Sequence, residues 1–221
     1  KDGVAFDKAV NVLKDKVDTI AFDSYITNEE AFILQKLKEK FGYRLVNEDA
    51  YPYQQFLKAF SQTSGSNLYS GDLKTVSQSN FVVSFGSALK TDSPNAGYAM
   101  NNALGMNKGA GLYFHPLADP IVNGYSKNLL SITHKVGTEE AIAYLLLNLF
   151  GDKESMPKEL LMDVNTLFEV IGMGADFSEK LEKLLEKKDT FSLIVGEDVY
   201  RHPRAENIAQ LLGSIERFTP S

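Results

Sequence analysis

Residues 81–95 read FVVSFGSALKTDSPN, and the fold class follows from them. Phe81-Val82-Val83-Ser84-Phe85 is an unbroken apolar, β-branched and aromatic run. Such a run suits a strand covered on both faces, as in a parallel sheet. Gly86 and Ser87 break it, and a polar loop leads to Pro94. Proline can open a helix because the N–H it lacks would be unpaired there anyway, and the pattern predicts that helix through Met106. Strand, glycine turn and helix make one βα unit of an open α/β sheet. Ligands of such sheets bind beyond the carboxyl ends of the strands, which places Gly86 and Ser87 at the candidate edge. Gly86 as a turn residue alone is the simpler reading of the same spacing.

Working outward, residues 111–114 and 130–133 predict two further strands, ending at His115-Pro116 and His134-Lys135. Thr138 opens a helix with Glu139 and Glu140 in its first turn, at the positive end of the dipole. Ala141, Ile142, Leu145, Leu146 and Leu149 form its expected inward face, and Gly151 closes it. Upstream, residues 5–17 carry Phe6, Ala9, Val10, Leu13 and Val17 at helical spacing. Short strands are expected at 19–22 and 43–46, a weaker helix at 53–60 and a helical turn at 73–77. Thr27-Asn28-Glu29-Glu30 is a capping box opening a helix with Phe32, Ile33, Leu37 and Phe41 on one face, ended by Gly42.

Downstream, residues 160–171 predict a helix stopped by Gly172-Met173-Gly174, and 178–188 a short charged one. Phe191 to Val195 repeats the opening theme, followed by Gly196-Glu197-Asp198, His202-Pro203 and a helix with Ile208, Leu211, Leu212, Ile215 and Phe218 inward. This is a weak internal repeat of the first unit. The expected organisation is a first α/β unit over 1–150, then a helical segment and the start of a second unit over 151–221. The start at Lys1 and the helical run into the end suggest a piece of a longer polypeptide.

The chain of 221 residues is 43% hydrophobic and 24% charged, with a net charge of −6. An acidic balance does not favour nucleic acid or an anionic membrane as partner. No cysteine is present. That excludes disulfides, thiolate catalysis and cysteine-ligated zinc or iron–sulfur sites within these residues. No apolar run approaches the ~20 residues that a spanning helix needs.

Gly105, Gly109 and Gly111 lie between a helix and a strand, where the dinucleotide fingerprint does not place its glycines, and they read as a turn. The three histidines, His115, His134 and His202, fall in separate loops without metal-ligand spacing. Satisfied loop histidines and a catalytic pair of His115 with His134 are the two readings. The residues around Ser84 lack the glycine spacing of a nucleophile elbow. No catalytic residue and no metal ligand is assigned.

Three patches in succession resemble the molybdopterin oxidoreductase family. There a strand runs into Gly-Ser-Asn-Pro, the next ends in Asp-Pro-Arg and a third in Pro-Gly-Thr-Asp. Here the counterparts are Gly86-Ser87-Ala88-Leu89 running on to Pro94, His115-Pro116-Leu117, and Val136-Gly137-Thr138-Glu139. Val195-Gly196-Glu197-Asp198 is similar to that family's second α/β unit. The resemblance implies Rossmann-like units and a cleft at Gly86, Ser87, His115, Gly137 and Thr138 that holds a pyranopterin dinucleotide in the family. The Asn, Pro, Asp and Arg of that pattern are replaced here by Ala88, Leu89, His115 and Leu117, so no bound cofactor is expected. Leu in place of Arg removes a five-donor cation suited to phosphate, and His in place of Asp removes an anionic acceptor.

That loss is similar to the branch of the family serving as an iron–sulfur subunit of respiratory NADH:quinone oxidoreductase, where the domain persists without its metal. The resemblance then implies a structural and interaction domain, other subunits of the complex as partners, and iron–sulfur clusters upstream. It also implies a cytoplasmic location, peripheral to the inner membrane. A dinucleotide-binding part of a working molybdenum oxidoreductase, such as a formate dehydrogenase, is the alternative. An unrelated α/β enzyme acting at the Gly86 edge is a third.

Overall fold

The computed structural model describes residues 2–174, 176–186 and 189–219. The chain divides into two compact units, Lys1–Gln54 and Gln55–Ser221.

In the first unit, α1 (Asp2–Lys16) precedes β1 (Thr19–Ala21), α2 (Asn28–Phe41) and β2 (Arg44–Val46). β1 and β2 pair in parallel as a two-stranded sheet. The capping box forms as expected: Thr27 Oγ1 accepts from the Glu30 amide at 3.2 Å, and Glu30 accepts from the Thr27 amide at 2.7 Å. Gly42 ends α2 in the left-handed region, with φ of 76°. Of the faces expected inward, Phe6, Leu13, Phe32, Ile33 and Phe41 are nevertheless exposed, Phe6 by 70%, while Val10, Val17 and Leu37 are half-buried. Two strands of three residues offer too little surface to cover them.

The second unit is built on a four-stranded parallel sheet of order β5-β4-β3-β6, formed by β3 (Phe81–Phe85), β4 (Ala110–His115), β5 (Leu129–Thr133) and β6 (Phe191–Val195). The three strands expected around Phe81 therefore lie in one sheet. Phe191 to Val195, expected to begin a second unit, pairs directly with β3. Every residue of β3 is buried. Alternation persists inside that run: Phe81, Val83 and Phe85 face one apolar cluster, and Val82 faces the other.

α3 (Ala50–Ser64) is longer than its sequence signal, and α4 (Leu73–Gln78) leads into β3. α5 (Pro94–Gly105) packs its Ala99, Met100, Ala103 and Leu104 on the Val82 face. After α6 (Pro120–Asn123) and β5, α7 (Glu139–Phe150) lies on the opposite face among α8 (Val164–Ile171) and α11 (Ala205–Phe218). Because α7 is covered by helices as well as by the sheet, it buries Ile142, Ala143, Leu145, Leu146, Leu147 and Phe150. The narrower expected stripe is corrected accordingly, and Leu149 is only partly buried.

Asn148 is buried in α7. Its amide donates to the Tyr144 and Leu160 carbonyls, and its oxygen accepts from the Met162 amide at 3.0 Å. The helix expected from Leu160 starts instead at Val164, because Asp163 caps it by accepting from the Thr166 amide at 2.8 Å. Leu160 belongs to a separate 3₁₀ turn, Lys158–Leu160. Gly172 ends α8 in the left-handed region as expected. α9 spans Asp176–Leu185, and the expected end of that helix at 187–188 lies outside the described residues. α10 (Glu197–Tyr200) forms where the spacing predicts a loop. Among the described residues no helix is long and apolar enough to cross a membrane.

Candidate functional site

The strand order carries the chain outward from β3 to β4 and β5, then returns it to the other side of β3 as β6. The crevice of such a sheet lies where the order reverses, here between the loops that follow β3 and β6.

That crevice is filled by the chain itself. Gly86 has φ of 71°, and a Cβ on it would stand 2.5 Å from Val199 Cγ2. A Cβ on Gly196 would overlap the Gly86 carbonyl and the Ser87 side chain. The Gly196 amide donates to Phe85 O at 2.8 Å, and the Asp198 amide donates to Gly86 O at 3.2 Å. Gly86 is thus both a left-handed turn and a close approach between backbones, which turn spacing alone does not reveal. Ser87 is buried beside it, and its carbonyl accepts from the Tyr113 hydroxyl at 3.1 Å.

At the end of β4, His115 is buried and stacked on Tyr113. Its Nδ1 lies 3.1 Å from the Leu117 amide and 3.0 Å from the Leu117 carbonyl, which ties the ring to its own turn. Its Nε2 lies 3.7 Å from an Asp198 carboxylate oxygen. At the end of β5, His134 is also buried, with Nδ1 3.0 Å from Lys135 O. Gly137 turns the chain with φ of 90°, and Thr138 Oγ1 donates to Lys135 O at 2.6 Å rather than capping α7. His115 and His134 therefore end adjacent strands, yet each takes partners of its own.

Gly86, Ser87, His115, Gly137 and Thr138 all lie at this one edge. Two pairings at it are invisible in the sequence. The Glu139 carboxylate, mostly buried at the start of α7, stands 3.3 Å from His202 Nε2, and Glu140 pairs with Arg204 at 2.8 Å. The Arg204 pair fastens the segment after β6 to the start of α7, whereas Glu139 Oε2 is buried without a hydrogen-bond partner. A candidate pair 63 residues apart in sequence becomes a contact only because β6 returns beside β3.

Carboxylates surround Tyr113 at this edge. Burial raises the Tyr113 pKa well above the ordinary phenol value, and the carboxylates of Asp119, Asp92 and Asp198 push it further the same way. The Ala88 amide, which would face an anion in the first loop, donates instead to Asp92 at 2.7 Å. Leu89 is fully buried in the apolar cluster, whereas Leu117 is 71% exposed. Arg201 and Arg204 are paired with Glu197 and Glu140. A dinucleotide bearing phosphates needs free backbone donors and fixed cations. Among the described residues, no three His, Asp or Glu side chains converge so as to hold a metal ion.

No family model and no curated protein matches the chain. Among solved structures it is similar to acetylene hydratase from Pelobacter acetylenicus, with a TM-score of 0.70 and 14% identity. The alignment covers 97% of this chain and 32% of that one, so the chain spans about a third of that protein's length. At this identity the likeness shows the fold alone. That fold is an open α/β arrangement of parallel sheets flanked by helices.

Proposed function

We propose that the chain is a non-catalytic structural and interaction domain that keeps this fold without its cofactor. The observation that carries the reading is the backbone contact of Gly196 with Gly86, which fills the crevice at the point where the strand order reverses. The Asp92 carboxylate on the Ala88 amide and the paired Arg201 and Arg204 support it.

The particular protein proposed is the large iron–sulfur subunit of bacterial NADH:quinone oxidoreductase (complex I), of the ε-proteobacterial type. The patches His115-Pro116-Leu117-Ala118-Asp119-Pro120 and TEEAIAYLLLNLF, residues 138–150, support that assignment. In this role the domain braces a neighbouring electron-transfer chain between NADH and quinone, contacts other subunits and reaches the membrane only through the complex.

The test uses the full-length polypeptide purified from its own cells. Metal analysis and fluorescence of extracted pterin should show neither molybdenum nor pterin, while the polypeptide comigrates with NADH dehydrogenase activity on native gels. A near-stoichiometric molybdenum or pterin signal would replace this reading with a working molybdenum oxidoreductase. Migration apart from NADH dehydrogenase activity would remove the complex I assignment.

A further inference from the structure

Helix α2 has no buried residue, and Phe32, Ile33 and Phe41 are 62%, 56% and 50% exposed. Glu29, Phe32, Ile33, Lys36 and Lys40 follow at intervals of three, one, three and four residues, which sets them on one stripe of the helix. Asn28, Glu29, Phe32 and Ile33 line an open hollow of about 420 Å³ on that stripe. The stripe is ordered by charge. It runs from the acidic Glu29 through the apolar pair to the basic Lys36 and Lys40. The two lysines already lie near aromatic rings, Lys36 at 5.5 Å from the Phe32 centroid and Lys40 at 5.4 Å from that of Phe41. Lys36 also reaches Glu39 at 2.8 Å on the open surface.

We propose that α2 pairs antiparallel with α2 of a second copy of this chain. A two-fold axis makes a surface its own partner only if that surface is self-complementary when reversed. This stripe is. An axis crossing α2 midway between Glu29 and Lys40 sets Glu29 of each copy opposite Lys40 of the other. Phe32 and Ile33 then lie against Leu37 and the aliphatic stem of Lys36, which buries the exposed rings and keeps the ammonium in water. The two helix dipoles also oppose each other. A parallel pairing would set like charge on like. The pairing rests on α2 alone and is independent of the proposed function.

A helix of 14 residues is ~21 Å long. A contact of that length stays below the ~1,200 Å² of a standard interface, so the pairing belongs to the weak class. Sedimentation of the chain from roughly 10 µM to 1 mM at low salt should show a concentration-dependent shift from monomer to dimer that added salt reduces. Phe32→Glu should leave a monomer. Glu29→Lys, and separately Lys36→Glu with Lys40→Glu, should each weaken self-association about 10-fold through two symmetric charge contacts. Mixing those two variants should restore the dimer, because one stripe is then basic and the other acidic throughout. Glu30 is left in place to hold the capping box, and circular dichroism checks that each variant is folded. A monomer at every concentration would overturn the pairing and leave the face to a different protein. A dimer indifferent to Phe32→Glu, or two charge variants that fail to associate when mixed, would overturn it equally.

Discussion

Gly196 and Gly86 meet backbone to backbone: a side chain on Gly196 would overlap the Gly86 carbonyl, while the Gly196 amide donates to the residue before Gly86. That backbone contact, with the Val199 side chain against Gly86, closes the carboxyl edge of β3 and β6. Alanine at Gly196 should therefore destabilise the domain by about 1–3 kcal/mol or more through overpacking. Gly86→Ala should do so too, since it adds a left-handed backbone to the Val199 contact. Gly71→Ala is the control, with open space around it and no positive φ, and should change stability by less than about 0.5 kcal/mol. Urea melts of the three variants would test this, and a neutral Gly196→Ala would show that the two loops separate at little cost.

Leu146 is fully buried between the sheet and the helices around α7, whereas Leu149 is only partly so. Leu146→Ala should cost ~2–5 kcal/mol, with Leu149→Ala clearly less. Equal losses in denaturant would mean that the two positions are covered alike.

Asn148 satisfies the Leu160 carbonyl and the Met162 amide from inside α7. Asn148→Ala should lose ~1–3 kcal/mol for each group left unpaired and buried. Hydrogen exchange at the Met162 amide is the direct measurement. Its protection should collapse toward that of an exposed amide in the variant.

Tyr113 gives the domain an alkaline limit. Burial, followed by the charges of Asp119, Asp92, Tyr125 and Asp198, raises its pKa above the ordinary value of 10.0. Below that value the hydroxyl is protonated in both states and contributes no pH dependence. Above it the unfolded chain releases a proton that the folded chain keeps, so stability falls as pH rises. Urea melts at pH 9 and pH 11 should show this fall, and Tyr113→Phe should reduce the slope between them. An unchanged slope would place the alkaline loss on other groups.

The run FVVSF, the capping box at Thr27 and the left-handed stops at Gly42 and Gly172 were legible in the sequence, because each depends on residues within one turn or one strand. So was the parallel sheet, since an apolar run without alternation needs cover on both faces. What covers a face is not local. The spacing of Phe6, Phe32 and Ile33 predicts amphipathic helices correctly and says nothing of whether a partner lies against them. The width of the buried surface on α7 likewise depends on α8 and α11, which the periodicity of α7 cannot report. At the edge, the rule that ligands bind beyond the carboxyl ends of parallel strands placed Gly86 and Ser87, and the family resemblance implied His115, Gly137 and Thr138 beside them. Only the tertiary structure set β6 beside β3. That return brings Gly196 onto Gly86, Asp198 to His115 and His202 to Glu139, contacts between residues far apart in the chain that no local pattern encodes.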